Sequence, residues 1–139
     1  MKQGDFMTAS AITICRVYTP PTHKDGVWIL VDKLWPRGLK KDKLDFDLWL
    51  KEIAPSTQLR QSYHHDLDSW ADFATQYVEE LRNKPEVMNQ VTELSKHQPV
   101  TLFYASKNKE HNHALVLQAT LIAWPKEPNL TPLISNTRS

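Results

Sequence analysis

Asp32 closes an almost wholly apolar run, "VWILVD" (residues 27–32), and Arg37 follows between Pro36 and Gly38 in "DKLWPRGLKKDK" (residues 32–43). A carboxylate at the end of a buried strand is costly unless it meets a cation or a set of amides. Asp32 is therefore read either as the anchor of a salt bridge to Arg37 or Lys107, or as a general base with a raised pKa. In "PRG" the proline fixes one backbone dihedral and Gly38 permits a positive φ or the close approach of a ligand, so the turn can aim the Arg37 guanidinium. Trp35 beside it is either core or a ligand platform. This loop holds five basic and two acidic residues, a local balance of +3.

A second polar group, "SKNKEHNHA" (residues 106–114), follows another apolar run. Lys107, close to a strand end, is a candidate acid, base, nucleophile or anion clamp. Asn108 is placed to cap the helix that follows. Asn112, one turn in on the same face, can hydrogen-bond a ligand or turn to the sheet, and His111 points about 100° away from it. His113 reads as a packing residue. His111 and His113 are two positions apart and cannot face one metal from a helix, as residues three or four apart could, so no metal is expected. In "HHD" (residues 64–66) Asp66 orients His65 or caps the next helix, and the sequence leaves the roles of His64 and His65 open.

Strands must carry these loops. "ITICRVY" (residues 12–18), "VWILVD" and "VTLFYA" (residues 100–105) are rich in β-branched and aromatic residues, and the second has the continuous apolarity of a strand covered on both faces. Apolar positions at helical spacing over residues 67–81, opposite acidic and amide residues, predict an amphipathic helix. Further helices are expected over residues 42–53, 56–63 (capped by Ser56), 85–96 and 109–124. The result is an α/β fold in a single domain: a small, mainly parallel sheet of three to four strands, flanked by helices in a Rossmann-like three-layer arrangement. Residues 1–10 read as a flexible lead, 11–124 as the domain and 125–139 as a tail. In such a sheet ligands bind beyond the carboxyl ends of the strands, where both polar groups lie.

The bulk numbers narrow the function. A chain of 139 residues with 40% hydrophobic and 24% charged residues suits one globular core. The net charge of +1 offers no global field for nucleic acid or an anionic membrane, so nucleic acid is an unlikely partner. One cysteine, Cys15, and no apolar stretch of membrane-spanning length point to a cytoplasmic protein without a disulfide. Three glycines and no glycine-rich loop argue against a conventional dinucleotide site, and no cofactor is expected.

"VDKLWPRGLKK", "LWLKEIAPSTQLR" and "LFYASKNKEHNHALVL", in this order, resemble the bacterial YeaO-like proteins of the domain-of-unknown-function family 488, over about residues 12–124. The resemblance implies an α/β domain without a settled activity. It places Asp32, Trp35, Pro36, Arg37 and Gly38 in the first motif, Pro55, Ser56 and Leu59 in the second, and Lys107, Asn112 and Ala114 in the third. At position 111 the family accepts other polar residues.

Two functions are in view. One is a domain that binds or converts a small anionic molecule, such as a nucleotide or a phosphorylated metabolite, using Asp32 and Lys107 for chemistry and Trp35, Arg37, Gly38, His111 and Asn112 for binding. The other is a protein or nucleic-acid interaction module in which the polar cluster is a structural salt-bridge network. A concave pocket joining Asp32, Arg37 and Lys107 favours the first; a flat, exposed tryptophan surface favours the second.

Overall fold

The computed structural model describes residues 12–42, 44–63 and 67–134. Four strands, β1 (Ile12–Arg16), β2 (Val27–Leu30), β3 (Leu48–Trp49) and β4 (Val100–Tyr104), form one parallel sheet in the order β1-β4-β2-β3. Val100 is in register with both Ile12 and Val27, which puts β4 and β2 side by side in the centre. All of β2 is buried, which is why its sequence shows no alternation.

The helices are α1 (Thr57–Ser62), α2 (Leu67–Arg82), α3 (Pro85–Ser95), α4 (His113–Ala123) and the short α5 (Thr131–Ile134). Their apolar faces join Ile29, Val31, Leu102 and Tyr104 in one core on one side of the sheet. On the other side Trp28, Leu30 and Phe103 are covered without helices, by Trp35, Leu39, Leu44 and Phe46 of the loop after β2 together with Trp49. The three layers are thus helices, sheet and an aromatic loop.

Two expectations are corrected. Residues 42–53 are not a helix: they contain β3 and a single 3-10 turn, Lys51–Ile53. Leu44, Leu48 and Trp49 imitate a helical stripe, but the Asp47 and Leu50 amides bond the Trp28 and Leu30 carbonyls of β2, and the Asp47 carboxylate takes the Trp28 amide. Here a sheet edge in need of a partner overrides local spacing. The last helix begins at His113 rather than near residue 109. Asn108 Oδ1 accepts from the Glu110 and His111 amides, a local loop that competes with helix, and Asn112 becomes the cap. Beyond residue 124 the described chain is docked as far as Ile134. Trp70 Nε1 donates to the Leu133 carbonyl at 2.9 Å, and Leu130, Leu133 and Ile134 pack on the core. The expected N-terminal lead lies outside the described residues.

Candidate functional site

Beyond β2 the chain turns toward β3 at one edge of the sheet. Beyond β4 it enters α4, whose Gln118 side chain donates to the Ile12 carbonyl of β1, toward the other edge. The loops leaving these two neighbouring central strands therefore diverge, and a crevice opens at their carboxyl ends, where open parallel sheets place ligands. It is a cavity of about 620 Å³ lined by both loops, by α1 and by α2.

Asp32 and His113 form its floor. The Asp32 carboxylate accepts the Ala105 amide at Oδ2 (3.0 Å), which ties the β2 loop to the β4 loop. His113, the first residue of α4, places Nε2 3.1 Å from the Val31 carbonyl and 3.3 Å from Asp32 Oδ1. A carbonyl only accepts, so Nε2 carries the proton and donates to Val31. Asp32 Oδ1 is left buried, beside the ring but without an aligned donor. Burial pushes the Asp32 carboxyl above its ordinary range, against the pull of His113, the Ala105 amide and Arg60. Burial likewise pushes the His113 ring below its ordinary value, opposed by Asp32 and the Val31 bond. Held below 6.5, the His113 ring is neutral at neutral pH beside the Asp32 carboxyl.

One wall is aromatic. Tyr63, Trp70 and Phe73 line it, and the His111 ring lies on Trp70 at 4.7 Å between centroids and 16° between planes. Trp70 also stacks on Phe73 at 5.7 Å. Among the described residues His111 Nε2, which is buried, has no hydrogen-bond partner.

Three exposed cations line the cavity: Lys33, whose Nζ donates to Thr57 Oγ1, and the two arginines Arg37 and Arg60. Among the described residues neither guanidinium has an ion pair or a hydrogen bond. Arg60 is held in place through its helix. Ser56 caps α1 by accepting the Leu59 amide, and Glu80 of α2 takes both the Ser56 amide (2.9 Å) and its hydroxyl (2.5 Å). Arg37 is set by the turn, whose Gly38 has φ +79° and whose Arg37 carbonyl accepts the Tyr18 hydroxyl at 2.6 Å.

The structure brings together Asp32, Trp35, Arg37, His111 and Asn112 around the cavity and leaves Lys107 and Gly38 outside its lining. Lys107 is exposed, so the salt bridge from Asp32 to Lys107 or Arg37 is replaced by the contacts to His113 and Ala105. Asn112 is buried, its Oδ1 accepting the Leu115 amide and its Nδ2 donating to the Asn108 carbonyl, so it shapes the loop. Trp35 packs edge-on against Phe46 and Trp49 and donates to the Leu39 carbonyl, so most of its ring is committed to the aromatic layer. His64 and His65 lie outside the described residues. Among the described residues no group of three or more His, Cys, Asp or Glu side chains could hold a metal ion.

Sequence reasoning missed His113 and Arg60. A signal existed for each. Starting α4 at Asn112 puts His113 in the first turn, against the strand ends, and Arg60 follows the Ser56 cap by one turn in "STQLR".

Comparison with known proteins agrees with the resemblance. A family model described as "Inactive DUF488-N3 subclade" matches residues 11–132. The Uncharacterized protein YeaO of Escherichia coli (strain K12) is 48% identical over 102 residues, covering 73% of this chain and 89% of that protein. The Uncharacterized protein Rv3073c of Mycobacterium tuberculosis (strain ATCC 25618 / H37Rv) is 34% identical over 110 residues, covering 79% of this chain and 92% of that protein. No solved structure gives a significant match. A model spanning nearly all described residues, and relatives aligned over most of their own length, make this chain a member of the DUF488 family, in its inactive N3 subclade.

Proposed function

We propose that this protein binds a small anionic molecule in the crevice between the β2 and β4 loops, and does so without turning it over. The observation that carries the reading is a pair of guanidiniums, Arg37 and Arg60, that form no ion pair among the described residues and stand at the rim of a concave, aromatic-walled cavity. Arginine recognises carboxylate and phosphate through paired, charge-assisted hydrogen bonds. The flat faces of Tyr63 and His111 suit a planar group attached to that anion, which fits a nucleotide or another phosphorylated or carboxylated metabolite.

Binding without turnover is supported by the subclade's description as inactive and by the placement of Lys107, the candidate acid, base or nucleophile, outside the cavity lining. Cys15 offers no replacement: it packs on the opposite, aromatic side of the sheet, and burial pushes its thiol up, away from the reactive thiolate. The reading as an interaction module finds less support. Trp28 and Trp70 are buried and Trp35, Trp49 and Trp124 are half-buried, so the tryptophans present no flat exposed surface. No helix among the described residues is long and apolar enough to cross a membrane, and a cytoplasmic setting belongs to the proposal.

The test is a thermal-shift screen of carboxylated and phosphorylated metabolites against the wild-type protein and Arg37→Ala/Arg60→Ala, followed by crystal soaks of each hit. A hit that raises the midpoint of the wild type and leaves the double variant unmoved supports the reading. Hits that stabilise both equally, or that occupy another surface in the crystal, sink it.

A further inference from the structure

The cavity has an acceptor that is not yet accounted for. His113 lines it and keeps 15% of its side-chain area exposed. Its Nε2 proton is committed to Val31, with Asp32 alongside, so in the neutral ring Nδ1 holds a lone pair. Among the described residues nothing hydrogen-bonds Nδ1, and it is not sealed from solvent. The ring cannot turn over to offer its N–H to the cavity without breaking the Val31 bond. It stands 6.0 Å from the Tyr77 ring, edge to face, which also restricts it.

Resting on the reading of the crevice as an anion site, we propose that His113 Nδ1 is the hydrogen-bond acceptor for the ligand. The ligand class is then narrower: a planar acid that carries an O–H or N–H donor, its anion on Arg37 and Arg60, its ring against Tyr63 and His111, and its donor on His113. Asp32 is the positioning residue, since its carboxylate beside Nε2 favours the tautomer that leaves Nδ1 free. The dyad has the parts of an acid-base pair, but in this use no proton leaves the ligand and no bond breaks. The Asp32 charge in the cavity floor also disfavours a ligand whose second charge would approach it, which excludes compact dianions from this position.

Matched probes test this directly: benzoate, the three hydroxybenzoates, their methoxybenzoate counterparts and inorganic phosphate, titrated into 15N-labelled protein with the His113 ring and Trp70 indole signals as readouts. At least one hydroxybenzoate should bind about tenfold more tightly than benzoate and its own methoxy counterpart, the scale of one net hydrogen bond. In His113→Phe that preference should fall to within about twofold. Asp32→Asn keeps the side-chain shape while removing the charge. Its His113 ring should remain an Nε2–H tautomer under the Val31 carbonyl but titrate at lower pH, because the carboxylate that favoured the charged ring is gone, while Arg60 and Tyr77 still face it. An Asp32 whose charge did not act on the ring would leave that titration in place.

Hydroxy and methoxy probes that bind alike to the wild type overturn the proposal, as does a preference that survives His113→Phe, or an Nδ1–H tautomer in the free wild-type protein. The probe comparison and the tautomer need no variant, so a misfolded variant does not shield the idea. Binding of phosphate without any aromatic acid overturns this inference and leaves the anion site standing. Binding of none of the probes overturns both.

Discussion

Asp32 and His113 are held in a state that water would not choose: a carboxylate pushed toward protonation and a ring pushed toward neutrality, side by side under the strand ends. Such a pair leaves a signature in the pH dependence of folding. The folded His113 ring binds its proton more weakly than the unfolded chain, whose ring titrates near 6.5, so its contribution is present above that pH and lost as pH falls toward the folded value. Asp32 has the opposite sign. Its folded carboxyl holds a proton more tightly than the unfolded one, so its contribution returns only as the solution is acidified toward the ordinary value of 3.8. Urea unfolding at a series of pH values should therefore show stability declining below about 6.5, and His113→Phe should flatten that decline whatever its baseline stability. An unchanged slope in the variant would remove His113 from the account. At this scale the sequence pointed to Asp32 and Arg37, which both line the cavity, because an acid ending an apolar strand and an arginine in a Pro-Gly turn are local features. It chose Lys107 over His113 because side-chain direction depends on where α4 starts, which local spacing left four residues too early.

That start is decided by two asparagines. Asn108 closes the loop on itself, and Asn112 caps α4 while anchoring to Asn108, so together they turn His111 onto Trp70 and His113 under β2. Asn112→Ala removes the cap and leaves the Asn108 carbonyl without its side-chain donor. It should lower unfolding stability by about 1–2 kcal/mol, measured by denaturant titration. The same variant should disturb the His113 ring signals, whereas a cap with no link to the site would leave them in place. The elements legible beforehand were those with long, regular patterns: α2, α3 and three of the strands. β3 was not legible because two residues cannot show a period, and its existence depends on the Trp28 and Leu30 backbone groups it satisfies.

The whole molecule places the crevice by topology. β4 is inserted between β1 and β2, so the last strand to form in chain order supplies half the site, and the site exists only when β2 and β4 start level with each other. Gly26 enforces that alignment. It has φ +74°, its neighbour Val27 donates to the Pro99 carbonyl, and an added Cβ would stand 2.0 Å from that oxygen. Gly26→Ala should destabilise the protein by about 3 kcal/mol through backbone strain and overlap together, whereas Gly38→Ala, equally left-handed but with open space around it, should cost about 1 kcal/mol. Equal effects in an unfolding titration would mean that the β2–β4 junction yields more easily than its geometry implies. The parallel sheet was legible in the sequence because strands buried on both faces read as unbroken apolar runs. The helix-free aromatic layer was not, because Trp35, Leu39, Leu44 and Phe46 follow no period and meet only when the loop folds back. The central claim, that this crevice is an anion site built on Arg37 and Arg60, is tested most directly by calorimetric titration of benzoate and inorganic phosphate into the wild type and into Arg37→Ala/Arg60→Ala. Saturable, salt-sensitive binding of either probe that weakens at least about tenfold in a double variant of unchanged thermal stability is the expected result; absence of binding, or equal affinity in both proteins, would contradict it.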